Sequence, residues 1–194
     1  ILKTIMKITH TDIFRFSIPM EPFVIATGTM YFAQNVFIRV HTDAGFYGVG
    51  ECSAFPMIVG ETQDTCLVMA KEFAKLWVGK NPLEIFSRLQ ELHDFTAHNS
   101  TIKSAFDMAL HDIAAQHAGI PLYQFLGGAK NKVLETDMTV SIGTPDKMRS
   151  DAVRFKEEGF PAIKVKLGEG KDIDIERIKA IREGIGADHP LRID

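Results

Sequence analysis

The sequence predicts an α+β domain over residues 1–130, followed by the first βα units of a parallel barrel over residues 131–194. Three observations support this fold class. Strand-like segments come first and helical segments follow them. After residue 130, strands and helices alternate with a pitch of about 26 residues, which is typical of βα units. Each of these later strands has one polar face, whereas open parallel sheets buried on both sides are almost continuously apolar.

The first domain begins with a predicted meander of strands. Residues 2–18 and 35–52 have the strand pattern, and the second of these regions contains a hairpin with Gly45 in its turn. Residues 19–33 and 53–60 are predicted loops, and both are unusually apolar for solvated connections. Each loop is therefore expected either to pack beneath other elements or to cover a ligand.

Helices follow the meander. Apolar residues at helical spacing predict helices over residues 62–78 and 100–118, and the second of these ends at Gly119. Between them, Asn81 and Pro82 predict a helix start, since Asn is a favoured N-cap and Pro fits the first helical position. The domain is therefore predicted to be a three-stranded meander covered by helices.

The second domain is predicted to alternate strands with helices. Residues 133–142, 162–167 and 190–194 read as strands, and helices are predicted from Thr144 to Gly159 and over residues 172–185. Because helices cover the outside of a barrel, the polar faces of its strands are expected to point inward, towards a site at the carboxyl ends. The polar residues on these faces are Asp137, Thr139, Ser141, Lys164, Lys166, Arg192 and Asp194.

Lys164 and Lys166 are the strongest candidates for chemistry. They lie two residues apart and therefore share one face of a strand. A nearby ammonium favours the neutral amine in its neighbour, and a neutral lysine is a proton-abstracting base. Lysines beside a carboxylate such as Asp194 suit proton abstraction next to a substrate carboxylate, with a hard divalent cation stabilising the enediolate. The alternatives are a solvated strand edge for the lysines, and a helix cap or a pair with Arg192 for Asp194.

Composition and charge exclude several classes. The net charge of −3 gives no basic footprint for nucleic acid or an anionic membrane, and no apolar run approaches the length of a membrane span. Residues 1–4 lack the features of a signal peptide, which favours a cytoplasmic location. Cys52 and Cys66 belong to no paired motif and are predicted to be reduced packing residues. His111 and His117 lie in a helical pattern and are also predicted to pack or to form hydrogen bonds.

Several short stretches match one known family. They are residues 48–52, 103–112, 121–128, 136–141, 164–166 and 192–194. On these stretches the chain resembles the enolase superfamily, in its muconate-lactonising-enzyme subgroup, and within that subgroup it is most similar to the dipeptide epimerases. The resemblance implies an α+β capping domain followed by a modified TIM barrel, (β/α)7β, of which this chain holds the first three strands.

The resemblance implies a Mg²⁺-dependent isomerase that epimerises a dipeptide by abstracting and returning its α-proton. Lys166 would be one of two bases that flank the α-carbon, and Lys164 would be its electrostatic neighbour. Asp194 would be the first ligand of the Mg²⁺ that binds the substrate carboxylate. Thr139 would lie against the substrate near that carboxylate.

The resemblance also gives the two apolar loops a role. Phe23 in the loop 19–33 and Ile58 in the loop 53–60 would bind substrate and shape its side-chain pockets. Epimerases that act on Ala-Glu place an arginine in the first loop, but here the corresponding position is Gly28 and the loop contains no Lys or Arg. We therefore expect dipeptides with small or apolar residues rather than Ala-Glu.

The resemblance covers the first part of the family's chain. Its other two carboxylate ligands, its second lysine and its ammonium-binding acids would follow Asp194, so the 194 residues alone are expected to be inactive. The family tends to form homo-oligomers. Alternative activities within the subgroup are muconate cycloisomerisation and o-succinylbenzoate synthesis. An alternative from a different functional class is a non-catalytic fragment or an interaction module.

Overall fold

The computed structural model describes residues 5–130 and 132–194, which form two compact units. The first unit contains the described residues up to Ile18 and those from Ala33 onwards to 130. The second unit contains Pro19–Phe32 and Lys132–Asp194. Residues 2–4 of the first predicted strand lie outside the described residues. The predicted boundary between residues 130 and 131 stays a prediction.

A three-stranded antiparallel sheet opens the first unit, which confirms the predicted meander. Its order is β1-β2-β3, and Val36 of β2 lies opposite Cys52 of β3. The turn after β2 places Gly45 at φ 83°, a left-handed conformation that glycine adopts without strain. The strands are β1 (Ile8–Ile25), β2 (Gly28–Thr42) and β3 (Tyr47–Ala54).

Both predicted apolar loops are wrong in part. Strand β1 continues to Ile25 and β2 begins at Gly28, so residues 19–32 are the end of a long hairpin, which we call the hairpin tip. Pro19 and Pro22 favour an end to the strand because proline lacks a backbone N–H. However, β1 is an edge strand, where a missing N–H is tolerated. Within residues 53–60, a short helix, α1 (Pro56–Val59), follows the end of β3.

Four further helices belong to the first unit. Two of them confirm the predicted helices over residues 62–78 and 100–118. The helix predicted to start at Asn81 begins later, because the Asn81 side chain accepts a hydrogen bond from Leu83 N (3.0 Å) and forms a turn instead. None of the helices in the described ranges is long and apolar enough to cross a membrane. The helices are α2 (Gln63–Trp77), α3 (Ile85–Phe95), α4 (Ser100–Ala118) and α5 (Leu122–Phe125).

Aromatic side chains fill the core of the first unit. The ring of Phe106 contacts Trp77 and Phe73 edge to face, with centroid separations of 5.0 and 5.6 Å. All three side chains are completely buried. Cys52 and Cys66 are buried free thiols in the same core, as predicted for packing residues. Burial of these large apolar surfaces is the main stabilising term for the unit.

Two glycines of β3 let α4 lie directly against the sheet. A Cβ added at Gly50 would stand 1.8 Å from Ala105 O, and one at Gly48 would stand 2.0 Å from Ala109 O. Ala105 and Ala109 are four residues apart and therefore lie on the same face of the helix. Small residues on both sides of this contact set the helix–strand distance.

The second unit contains a parallel sheet of order β4-β5-β6, which confirms the predicted βα alternation. Its strands are shorter than predicted. Thr144 caps α6 by accepting a hydrogen bond from Lys147 N (3.4 Å), at the predicted helix start. Met148 of α6 and Ile181 of α7 are fully buried in a core that covers the apolar face of the sheet. The elements are β4 (Met138–Val140), α6 (Pro145–Glu157), β5 (Ile163–Val165), α7 (Lys171–Ile185) and β6 (Leu191–Ile193).

We expect Gly50→Ala to lower the free energy of unfolding by about 1–3 kcal/mol or more, because the added methyl group overlaps the backbone of α4. Gly143→Ala is the matched control, since its Cβ would meet no atom closer than 3.7 Å. Chemical denaturation of the purified protein measures both effects. Equal stability of the two variants would contradict the proposed close approach of α4 to β3.

Candidate active site

Lys164, Lys166 and Asp194 form one ion cluster on the polar face of the parallel sheet. Lys166 Nζ donates a hydrogen bond to Asp194 Oδ1 at 2.9 Å, and Lys164 Nζ pairs with Asp194 Oδ2. Each carboxylate oxygen therefore serves one ammonium group. The three side chains remain partly exposed, so solvent or a ligand can reach them.

The backbone of the strand ends fixes this cluster. Asp194 N donates to Val165 O, and Leu167 N donates to Asp194 O, both at 3.0 Å. These two bonds continue the β5–β6 ladder past Ile193 and hold Asp194 beside Lys166. The alternative pairing of Asp194 with Arg192 is wrong, because Arg192 instead donates to Asp137 Oδ2 at 2.7 Å.

The two lysines also set the protonation of Asp194. Its pKa lies below the usual value because Lys164, and then Lys166, donate hydrogen bonds to the carboxylate. A depressed carboxyl pKa contributes stability above the ordinary aspartate pKa, and this contribution is lost as the pH falls through the folded-state value. Asp194 is therefore ionised at neutral pH and available as an oxygen ligand.

Thr139 lies on the same face of the sheet as the ion cluster of Lys164, Lys166 and Asp194. The register places Thr139 beside Lys164, and Lys164 beside Arg192, in one row across the three strands. Lys166 N donates to Val140 O at 3.1 Å, which places Lys166 one step nearer the carboxyl end of the sheet. The structure thus brings together the predicted polar residues on β4, on β5 and just after the ends of β5 and β6.

The hairpin tip packs against the carboxyl ends of these strands. Val24 O accepts a hydrogen bond from Ile142 N, just after β4, at 3.0 Å. A Cβ at Gly168, after β5, would stand 3.1 Å from Ala26 Cβ. Phe23, the residue before Val24, is half-buried within the same compact unit as the lysines. The hairpin tip therefore forms one wall beside the polar strand ends.

Ile58 belongs to a different compact unit from the ion cluster. It belongs to α1 in the first compact unit, where 68% of its surface is exposed. Its role in substrate binding stays a prediction, as do the roles assigned to Thr139, Phe23 and the ion cluster.

Arg177 holds the loops around the site, and sequence reasoning missed it. Its guanidinium is almost completely buried and donates to Gly143 O at 2.8 Å, to Asp174 Oδ1 at 2.9 Å and to Glu169 Oε2 at 2.5 Å. Asp174 Oδ2 in turn accepts from Gly168 N at 2.9 Å. One side chain of α7 thereby joins the loop after β4 to the loop that follows β5 and Lys166.

Curated relatives and solved structures match nearly the whole chain. A D-Ala-D/L-Ala epimerase from Cytophaga hutchinsonii is 47% identical over 190 residues, which are 97% of this chain and 52% of the relative. A hydrophobic dipeptide epimerase from Enterococcus faecalis is 38% identical over 174 residues, covering 90% of this chain and 49% of the relative. The crystal structure of the Cytophaga hutchinsonii dipeptide epimerase, complexed with Mg and D-Ala-L-Val, has a TM-score of 0.95 at 47% identity and covers 98% of this chain and 52% of that chain.

The chain thus spans about half the length of the relatives it matches. The sequence profile of the mandelate racemase/muconate lactonizing enzyme N-terminal domain matches residues 8–127, which is more than half of the chain. This match and the similarity to dipeptide epimerases confirm the resemblance found in the sequence. The chain belongs to the mandelate racemase/muconate lactonizing enzyme family of the enolase superfamily.

Proposed function

We propose that this chain forms part of a Mg²⁺-dependent dipeptide epimerase, an isomerase that inverts one α-carbon by removing and returning its proton. The observation that carries the proposal is the ion cluster of Lys164, Lys166 and Asp194 beside the hairpin tip. Two relatives, each matched by this chain over about half of its length, are named as epimerases of dipeptides. Their names support the same reaction for this protein.

In the proposed reaction, Lys166 accepts the α-proton. Its Nζ has to lose a proton first, and it then uses its free electron pair to bond the hydrogen of the α-carbon. The electrons of the C–H bond move into the substrate carboxylate and give an enediolate. A second base, on the opposite face of the α-carbon, returns a proton and inverts the centre. Lys164, on the same face of the sheet, is the electrostatic neighbour of Lys166 in this step.

Asp194 fits the role of one Mg²⁺ ligand. It is ionised at neutral pH, partly exposed and at the carboxyl edge of the sheet. Mg²⁺ commonly uses one or two carboxylates together with water and substrate oxygens. When bound, the ion would stabilise negative charge on the substrate carboxylate. Within the described residues no group of three metal-ligating side chains includes Asp194, so further ligands would come from the rest of the protein.

The proposed substrates are dipeptides with small or apolar residues. The hairpin tip, which packs beside the strand ends, contains no Lys or Arg to pair with a glutamate side chain. Phe23 would instead offer an apolar ring, and Ile58 would contribute a second apolar surface. Thr139 would lie against the substrate near its carboxylate.

The cellular setting is also part of the proposal. We propose a cytoplasmic homo-oligomer. The chain has only two cysteines, and neither belongs to a paired motif, which is typical of proteins from a reducing compartment.

We expect the full-length protein with Mg²⁺ to exchange one α-proton of a dipeptide in D₂O, and Lys166→Ala to reduce that exchange by at least about 10²-fold, the lower range for a positioned base. Proton NMR across a dipeptide library measures the exchange. Lys171→Ala, an exposed lysine at the start of α7, is the control and keeps the wild-type rate. Absence of exchange with every dipeptide would refute the proposed function.

We expect L-Ala-L-Val to be epimerised with a kcat/KM at least about tenfold above that of L-Ala-L-Glu. The reason is that a missing charge-assisted partner costs about 1.5–3 kcal/mol. Circular dichroism follows the reaction with both substrates. A preference for L-Ala-L-Glu would show that a basic residue outside the hairpin tip binds the glutamate, and the apolar selectivity would be withdrawn.

We expect the Asp194 carboxyl to titrate below the ordinary aspartate pKa of about 3.9, because both lysines bond its ionised form. Lys164→Met raises this pKa towards the ordinary value, whereas Lys179→Met, an exposed lysine of α7, leaves it unchanged. Carbon-13 NMR titration of the full-length protein reads the pKa directly. An unshifted Asp194 in the wild type would argue against the ion cluster.

A further inference from the structure

A second cluster of chemically active side chains lies on the antiparallel sheet, outside the proposed active site. It consists of His10 and Asp12 on β1 and His41 on the neighbouring strand β2. All three belong to the first compact unit, whereas Lys164 and Asp194 belong to the second. The proposed epimerase reaction uses none of the three.

The three side chains converge because of strand geometry. His10 and Asp12 are two residues apart and share one face of β1. His41 Nε2 lies 2.9 Å from Asp12 Oδ2, and His10 Nε2 lies 3.9 Å from Asp12 Oδ1. One ligand atom from each residue lies within 4.8 Å of the other two. Both imidazoles thus turn the same nitrogen towards one carboxylate.

One ring has to turn before both imidazoles can bind the same ion. The two rings stack with centroids 4.2 Å apart and an interplanar angle of 4°, so their nitrogen lone pairs, which lie in the ring planes, do not yet converge on one point. Tetrahedral zinc places its ligand atoms about 3.4 Å apart. The His10 side chain is 59% exposed and can rotate, which would direct its Nε2 lone pair towards the point that His41 Nε2 faces. Its other nitrogen, Nδ1, lies 3.1 Å from Thr9 Oγ1, the kind of outer contact that orients a ligating histidine.

We propose that His10, Asp12 and His41 form a transition-metal site that binds Zn²⁺ through two imidazole nitrogens and one carboxylate oxygen. Imidazole ligands favour zinc, nickel and copper over magnesium and calcium, so this site differs in chemistry from the proposed Mg²⁺ site at Asp194. Three protein ligands leave the fourth position of zinc open to water. The bound ion links the edge strand β1 to the central strand β2.

Calorimetric titration of the Mg²⁺-saturated full-length protein with ZnCl₂ tests the site. We expect one equivalent of Zn²⁺ to bind, and His10→Gln and His41→Gln each to weaken that binding by at least about tenfold, since loss of even an outer partner costs 10–100-fold in affinity. His93→Gln, an exposed histidine of α3, is the control and binds as the wild type does. Tetrahedral Co²⁺ absorption, present in the wild type and lost in both variants, gives a second readout.

The outcomes separate this site from the proposed active site. Zn²⁺ binding that survives in Asp194→Asn but fails in the two histidine variants supports the proposal, whatever the epimerase assay gives. Absence of Zn²⁺ binding to the wild type overturns the proposal, as does binding that is lost in Asp194→Asn and retained in the histidine variants. Circular dichroism of each variant confirms that it is folded. Proton exchange in dipeptides is expected to be unchanged in His10→Gln and His41→Gln.

Discussion

The carboxylate of Asp194 is the group on which the polar face of the parallel sheet depends. Lys164 on β5 and Lys166 just after its end project from the same side of the sheet, where two ammonium groups repel each other. One oxygen of Asp194 for each ammonium relieves that repulsion. The arrangement requires the observed β5–β6 register, since a shift of one residue would turn the carboxylate to the helix-covered side.

Local patterns predicted the elements that carry this cluster. Apolar spacing and end signals predicted α2, α4, α6 and α7, and strand alternation placed Lys164, Lys166 and Asp194 on one face. The hairpin tip was misread because Pro19 and Pro22 usually interrupt strands. Whether proline is tolerated in a strand depends on whether the strand lies at the edge of its sheet. The order of strands in the sheet decides this, and a single sequence does not reveal that order.

Arg177 shows a different limit of sequence reasoning. It precedes Ile181 and Ile185 at intervals of four residues, so it occupies the buried stripe of α7. A charge in such a stripe is a detectable signal, because buried charges need partners. Its partners are not detectable in the same way: Gly143 O belongs to a loop 34 residues earlier, and only the folded sheet brings it near.

The hairpin tip lies far from the ion cluster along the gene. Its residues are encoded more than a hundred positions before the lysine strand, yet they pack beside the strand ends in the folded chain. Point changes in this segment can therefore alter the wall beside the strand ends while Lys164, Lys166 and Asp194 stay unchanged. Under the proposed function, substrate preference and proton transfer would be encoded in separate parts of the gene.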